Sequence, residues 1–323
     1  MPSNDEGVRK KIEKIMNEIT TRVGDRNFSY KEQRDLVEEM GRLRNYRIVK
    51  PLSELINNEN ASDVIKLKAI EVLGQYGDPR VIKILAAKIH DENTDLRNAA
   101  VRSLSRIRHV KCVDPLLESL KDEEKWIRIF AIHGLDKNYS KKVVKPIVDC
   151  LGDEEAEVRE EVIETIKYMP IDDVADELID ALNSENRLKQ IAASALLGDL
   201  EVIEAAKPLI EILEGDDRRL SLIASRSLSK IADPNAIPDL LVKALKGDKE
   251  ESIYAISILN MGNEVIPTLL NLYLIANEEK LRDLIHAILK KYGDVVLKKI
   301  LEMKNGIEDE DKAKLLDDLY KKF

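Results

Sequence analysis

The chain repeats itself about every 31 residues, and this period constrains the fold more than any other feature. Leu73, Leu104, Leu135, Ile166, Leu196, Leu228 and Leu259 follow one another at spacings of 31, 31, 31, 30, 32 and 31. Eight residues before each stand Ile65, Leu96, Ile127, Val158, Leu188 and Leu220, the series lapsing at Glu251. Midway lie Ala69, Ala100, Ala131, Val162, Ala192, Ala224 and Ala255. Offsets 0, 4 and 8 share one face of an α-helix, so each period carries a packing stripe with a small residue at its centre, where another helix can come close. A second apolar stripe precedes it, in stretches such as "VKPLSELI", "VKPIVDCL" and "AKPLIEIL". Six of the ten prolines, Pro51, Pro115, Pro146, Pro208, Pro238 and Pro267, sit at one position of this stripe. Proline is tolerated in a first helical turn and kinks the helix when it falls later. Each period is therefore two helices, A then B, joined by a short polar loop such as "DEN" or "DEE".

A two-helix unit of this size cannot bury its apolar face alone and must stack on its neighbours. About nine such units fit between Ser29 and the C-terminus. "SYKE", Ser29 to Glu32, has capping-box spacing and marks where the array is expected to begin. The expected organisation is an N-terminal segment 1–28, an array over 29–306 and a capping helix over 307–323. The first segment either caps the array or docks on a partner through Ile12, Ile15, Met16 and Ile19; the last turns Leu315, Leu316 and Leu319 to one side. Terminal units need a polar outer face, which makes capping the default at both ends.

The proline of helix A, the aspartate of the A–B loop and the "xVRxxAxxxL" pattern of helix B resemble HEAT repeats. The short period is most similar to the HEAT-like class first noted in phycobilin lyases. The resemblance covers nearly the whole chain from about residue 30. It implies an all-α fold, a right-handed α-solenoid or superhelix of about nine two-helix repeats, with helix B on the concave side and helix A on the convex side.

The stretch "DLRNAAVRSLSRIR", residues 95–108, holds four arginines in an otherwise acidic chain. Arg97 recurs one period away as Lys66, Arg128, Arg159 and Lys189, while Asp91, Asp122 and Asp153 recur in the A–B loops. A cation early in helix B can reach a loop carboxylate of its own or the adjacent unit. These residues are expected to form a structural ladder, as the resemblance also implies. Arg102 and Arg106 do not recur: their equivalents include Glu71 and Gln75, His133 and Lys137, and Arg226 and Lys230. Offsets 6 and 10 point away from the core. Arg102, Arg106, His133, Arg226 and Lys230 are thus candidate partner-binding residues. Ile129, Phe130, Leu222, Ile223, Ile253 and Tyr254 lie at offsets 2 and 3, near the rim of the stripe. Most of these six are expected in the core between repeats, and Phe130 and Tyr254 join the partner-binding candidates as aromatics beside cations.

Charge and composition then narrow the function. The net charge is −9, aromatics are 4% of residues and Trp126 is the sole tryptophan, which disfavours polyanion binding and base stacking. From Arg97 to Ile147 there are 12 Lys/Arg against 6 Asp/Glu, and from Leu151 to Glu185 only Arg159 and Lys167 against 13 acids. Such sorted blocks suit a protein partner with complementary patches. The four histidines, His90, His109, His133 and His286, share no metal-ligand spacing. Deoxyhypusine hydroxylase, a HEAT-like enzyme, holds iron with His-Glu pairs, and none of these histidines precedes a glutamate. Cys112 and Cys150 are expected as packing thiols in a reducing compartment. No phosphate-binding or nucleophile-elbow motif is present. No signal segment or membrane span is read, which makes the cytoplasm the expected location. The expected function is a non-catalytic scaffold or adaptor without cofactor, one service being assembly or cofactor loading of a partner enzyme. Its partner is a large or extended protein; nucleic acid, membrane and small-molecule ligands are disfavoured. The alternatives are a cofactor-attachment protein like the phycobilin lyases and a nucleic-acid-binding HEAT-like protein.

Overall fold

The computed structural model describes residues 3–25, 27–246 and 251–323. Among them are twenty α-helices, seven short 3-10 turns and no strand. The chain forms two compact units, Met1–Tyr168 and Met169–Phe323. The first holds α1 (Ser3–Arg22), α2 (Tyr30–Arg42), α3 (Val49–Asn57), α4 (Asp63–Tyr76), α5 (Ile82–Ala86), α6 (Thr94–Leu104), α7 (Val113–Ser119), α8 (Lys125–Lys137), α9 (Lys141–Asp149) and α10 (Ala156–Lys167). The second holds α11 (Ile171–Ala181), α12 (Arg187–Asp199), α13 (Ala206–Glu214), α14 (Arg218–Ile231), α15 (Ile237–Lys246), α16 (Glu251–Asn260), α17 (Ile266–Ile275), α18 (Glu279–Lys290), α19 (Asp294–Lys304) and α20 (Glu310–Tyr320). From α3 onward, odd-numbered helices are of type A and even-numbered ones of type B. The fold is an α-solenoid.

Local chemistry sets the helix ends. Ser29 accepts a hydrogen bond from the Glu32 amide, and the Glu32 carboxylate reaches back to the Ser29 amide, closing the capping box at α2. Ser62, Asn93, Asn186 and Asp217 cap α4, α6, α12 and α14 in the same sense. Five of the six repeat prolines fall within the first three residues of their A helices, where no amide is needed. Pro146 alone lies deeper, inside α9.

The B stripes form the centre of each unit. Ile65, Ala69 and Leu73, Leu96, Ala100 and Leu104, Ile127, Ala131 and Leu135, and Val158, Val162 and Ile166 are all buried. One stripe residue departs from its expected role: Leu188 is 38% exposed. It is the second residue of α12, at the end of the one repeat whose spacing is 30, so the shortened loop does not bring it inward. In the N-terminal segment, Ile12, Ile15 and Ile19 are buried and Met16 is half-buried.

Neighbouring B helices approach so closely that the contact is made by glycine and serine. The Ser103 hydroxyl donates to the Ile70 carbonyl at 3.2 Å, and Ser227 donates to the Ser194 carbonyl at 2.7 Å. Gly198 faces Ser227, and a Cβ there would stand 2.5 Å from the Ser227 Cα. Gly198→Ala should therefore force α12 and α14 apart and lower unfolding stability by about 1–3 kcal/mol. Gly7→Ala, with nothing within 4 Å of the added atom, should be neutral or stabilising by up to about 1 kcal/mol. Denaturant melts of the two variants measure the difference, and equal midpoints would show that the helices have room to spare.

Candidate functional site

The ladder positions occupy the entry to each B helix. Arg128 forks onto Asp153, with Nε 2.8 Å from Oδ2 and Nη2 2.7 Å from Oδ1. Its Nη1 donates to the carbonyls of Asp122 and Glu123, at 2.8 and 3.0 Å. Arg97 repeats the arrangement on Asp122, at 3.0 and 3.3 Å, and on the carbonyls of Asp91 and Glu92. Arg97 and Arg128 are only 8% and 6% exposed. Hydrogen bonding to Asp122 holds the Arg97 guanidinium firmly protonated. Asp122 and Asp153 also accept the amides of Glu124 and Glu155, which turns each loop into its helix. Arg159 keeps the carbonyl half of the pattern, donating to Asp153 and Glu154 at 2.7 and 2.9 Å. One period beyond Asp153 the sequence has Ser184, without a carboxylate. Lys66 makes no ion pair among the described residues. Asp91, one loop on, is held instead by Lys88 at 3.1 Å. A lysine lacks the flat fork that lets arginine hold two loops at once. Lys189 is half-buried in the first turn of α12.

The outward offsets of α6, α8 and α10 form a connected row. The Arg102 guanidinium lies over the Phe130 ring, 5.7 Å from its centre. Phe130 meets His133 edge-on at 6.5 Å, and His133 Nε2 is 2.7 Å from Glu161 Oε1. Arg102, Arg106 and His133 are exposed and Phe130 is half-buried. Arg102 and Arg106 form no ion pair among the described residues. On their other side, α4 and α6 border a groove of about 540 Å³ lined by Gln75, Asn98, Ala99, Arg102 and Arg106, among others.

In the second unit the corresponding residues differ. Arg226 is exposed, but Lys230 is held by Asp199 of α12. Tyr254, a candidate for partner contact in the sequence, is only 6% exposed, and its hydroxyl lies 3.3 Å from Ser221 Oγ. Ser221 stands where the ladder has arginine, and the smaller side chain leaves room for the tyrosine to turn inward. Among its offset neighbours, Ile129 is buried, Leu222 and Ile223 are half-buried, and the Ile253 side chain lies outside the described residues. Sequence reasoning missed Arg187, which forks onto Asp217 at 2.7 and 3.0 Å. It performs the ladder's linkage two residues before Lys189, so a search at fixed offset passes it by. The Arg187 hydrogen bonds hold the Asp217 carboxyl down at about 2.

Reactive chemistry is sparse. Burial pushes the Cys112 thiol up to about 11, which removes the thiolate needed for nucleophilic attack at neutral pH. Among the described residues no group of three or more His, Cys, Asp or Glu side chains could hold a metal ion. No described helix is long and apolar enough to cross a membrane.

A family model described as HEAT repeats matches residues 25–105, 84–167 and 113–196. No curated protein matches the sequence. A crystal structure of importin beta superposes with a TM-score of 0.50 at 12% identity, covering 97% of this chain and 52% of that one. Kap95p, in a structure of its binding to RanGDP, gives 0.51 at 13% identity, covering 95% and 50%. The complex of CpcE and CpcF of phycocyanin lyase from Nostoc sp. PCC7120 gives 0.37 at 18% identity, covering 74% and 94%. The chain spans about half the length of the importin beta and Kap95p chains, and at these identities the likeness is one of fold.

Two outcomes follow for stability. Arg128→Ala should cost about 1–3 kcal/mol, because it strands the Asp153 carboxylate and two loop carbonyls. Arg102→Ala, which touches only a half-buried ring, should cost under about 0.5 kcal/mol. Equal melting shifts would contradict this division. The second outcome concerns acid. Asp217 is ionised more readily folded than unfolded, so its contribution is complete above the unfolded pKa near 3.8 and fades as pH falls towards about 2. Asp217→Asn should remove that part of the acid dependence, read as a flatter melting temperature between about pH 4 and 2.

Proposed function

Since the chain belongs to the HEAT-repeat family, we propose that it is a non-catalytic scaffold whose helix-B face binds another protein. The observation that carries this reading is the pair Arg102 and Arg106: exposed, without ion pairs among the described residues, and flanked by a half-buried aromatic ring. Scaffold needs account for the ladder arginines, which are buried and bonded. They do not account for two bare guanidinia in a chain with 61 acids against 52 basic residues. Arginine beside an aromatic side chain is the composition of an interface anchor. The partner engages the face of α4, α6 and α8 and is large or extended.

Several features support a binding role over catalysis. The Cys112 thiol is protonated at neutral pH, and His133 is bonded to Glu161 on an exposed helix face rather than placed beside a nucleophile. The α6–α8 region is basic, but α10 presents Glu157, Glu160, Glu161 and Glu164. That acidic helix interrupts the continuous basic track a nucleic acid would require.

The test begins with capture of a partner on the immobilised chain and its identification by mass spectrometry. Reversing Arg102 and Arg106 to Glu should then slow association of that partner about tenfold or more at low salt and flatten its salt dependence. Thermal stability should stay within about 0.5 kcal/mol of the parent. If the reversed variant associates like the parent, this face is ordinary solvated surface and the scaffold reading of it fails.

A further inference from the structure

We infer that the groove between α4 and α6 receives an extended acidic segment of the partner, with carboxylates on alternate residues held by Arg102 and Arg106. The inference rests on the scaffold reading above and gives it a ligand chemistry.

The groove exists because one repeat position is small. Offset 3 of the B helix is Lys68 in α4, Ala99 in α6, Phe130 in α8 and Glu161 in α10. Three of these side chains are engaged with a neighbouring helix. Lys68 meets Glu38 at 3.7 Å, Phe130 lies under Arg102, and Glu161 bonds His133. Ala99 reaches nothing comparable, and the space it leaves is the cavity of about 540 Å³.

The lining then selects the ligand. Arg102 and Arg106 present two cations without ion-pair partners among the described residues. Glu71, on the facing wall, is already engaged by Lys68 at 3.4 Å. Asp95 lies at the far end, two turns before Arg102, and repels a carboxylate there. The groove is thus polarised, with its attractive end at Arg106. Gln75 and Asn98 make no side-chain hydrogen bond among the described residues, and each offers one donor group and one acceptor. A peptide main chain needs that combination.

Spacing fixes the ligand's conformation. Arg102 lies in the last turn of α6 and Arg106 in the turn that follows, where the Arg106 amide bonds the Ser103 carbonyl. Four residues at a helical to 3-10 rise separate them by about 6–8 Å. In an extended strand, residues i and i+2 point the same way and lie about 6.6 Å apart. An acid-x-acid segment in strand conformation therefore presents one carboxylate to each guanidinium. Arg102 is also steadied by its ring contact, so less side-chain freedom is lost on binding.

The probe is a fluorescein-labelled octapeptide of alternating Glu and Val, measured by anisotropy against the full chain at low and moderate salt. Its isomer with paired Glu and paired Val, and a 20-base-pair DNA duplex, are the comparisons. The alternating peptide should bind tightest, and Arg102→Ala with Arg106→Ala should weaken it by about tenfold or more. Ala99→Phe, which fills the groove and leaves both cations in place, should weaken it as much. Lys299→Ala, in α19 of the second unit, should change nothing. Equal binding of the two isomers, tighter binding of the duplex, or indifference to Ala99→Phe would each overturn the inference. If a captured partner depends on Arg102 and Arg106 yet is not displaced by the alternating peptide, the acidic-segment inference fails while the scaffold reading stands. If charge reversal affects neither ligand, both fail.

Discussion

The fork of arginine onto two successive loops is the interaction on which the first unit depends. A helix begins with amides that have no partner, and the loop before it ends in carbonyls that have none either. Asp122 and Asp153 satisfy the amides of their own loops, and Arg97, Arg128 and Arg159 satisfy the carbonyls. Because Arg97 and Arg128 also reach the carboxylate of the following loop, the same side chain that completes one repeat ties it to the next. A guanidinium has enough donors in one plane to do this, and an ammonium does not. Removing water from these ions is costly, so the linkage is favourable only with every partner present.

This local closure leaves the outward offsets of helix B free to vary, and much of the sorted charge is spent internally. Lys125 pairs with Glu155 and Glu157, Arg128 with Asp153, and His133 bonds Glu161, so part of the charge of α8 is matched by α10 and the loop before it. Lys125 holds the Glu157 carboxyl below its ordinary range. The basic block is therefore much smaller as a surface than as a sequence. What remains of it at this point is Arg102 in the last turn of α6 and Arg106 just beyond it.

The paired helices and the prolines of the A helices were legible in the sequence, because each follows from a period and helical geometry. Of the expected ladder, Arg97 meets Asp122 and Arg128 meets Asp153, while Asp91 is held by Lys88. The candidate face was legible only in part. An offset tells which way a side chain points; it does not tell what the adjacent repeat supplies. Arg106 and Lys230 share an offset, yet the preceding helix offers Gln75 to the first and Asp199 to the second. Phe130 and Tyr254 share another, and one carries a guanidinium while the other turns to Ser221. In both cases the deciding residue lies one period away in register. Leu188 and Arg187 escaped for a different reason: the 30-residue repeat shifts the register that fixed offsets assume.

That asymmetry between loop and face explains how one scaffold can hold both fold and recognition. Ladder residues sit where an A–B loop enters helix B, and their partners are main-chain atoms and a carboxylate needed by every neighbouring repeat. A change there is felt along the stack. In α6 and α8 the residues at offsets 3, 6 and 10 meet few neighbouring side chains, so a change there alters a local surface and little else. In α12, by contrast, offsets 6 and 10 hold Ser194 and Gly198, which pack against Ser227. Ala99 illustrates the second kind. A single small residue among Lys68, Phe130 and Glu161 opens a groove without disturbing Leu96, Ala100 or Leu104 on the adjoining stripe of the same helix. Binding specificity in such an array is written as departures from the repeat, and the least repetitive positions of α6 are the ones its packing does not require.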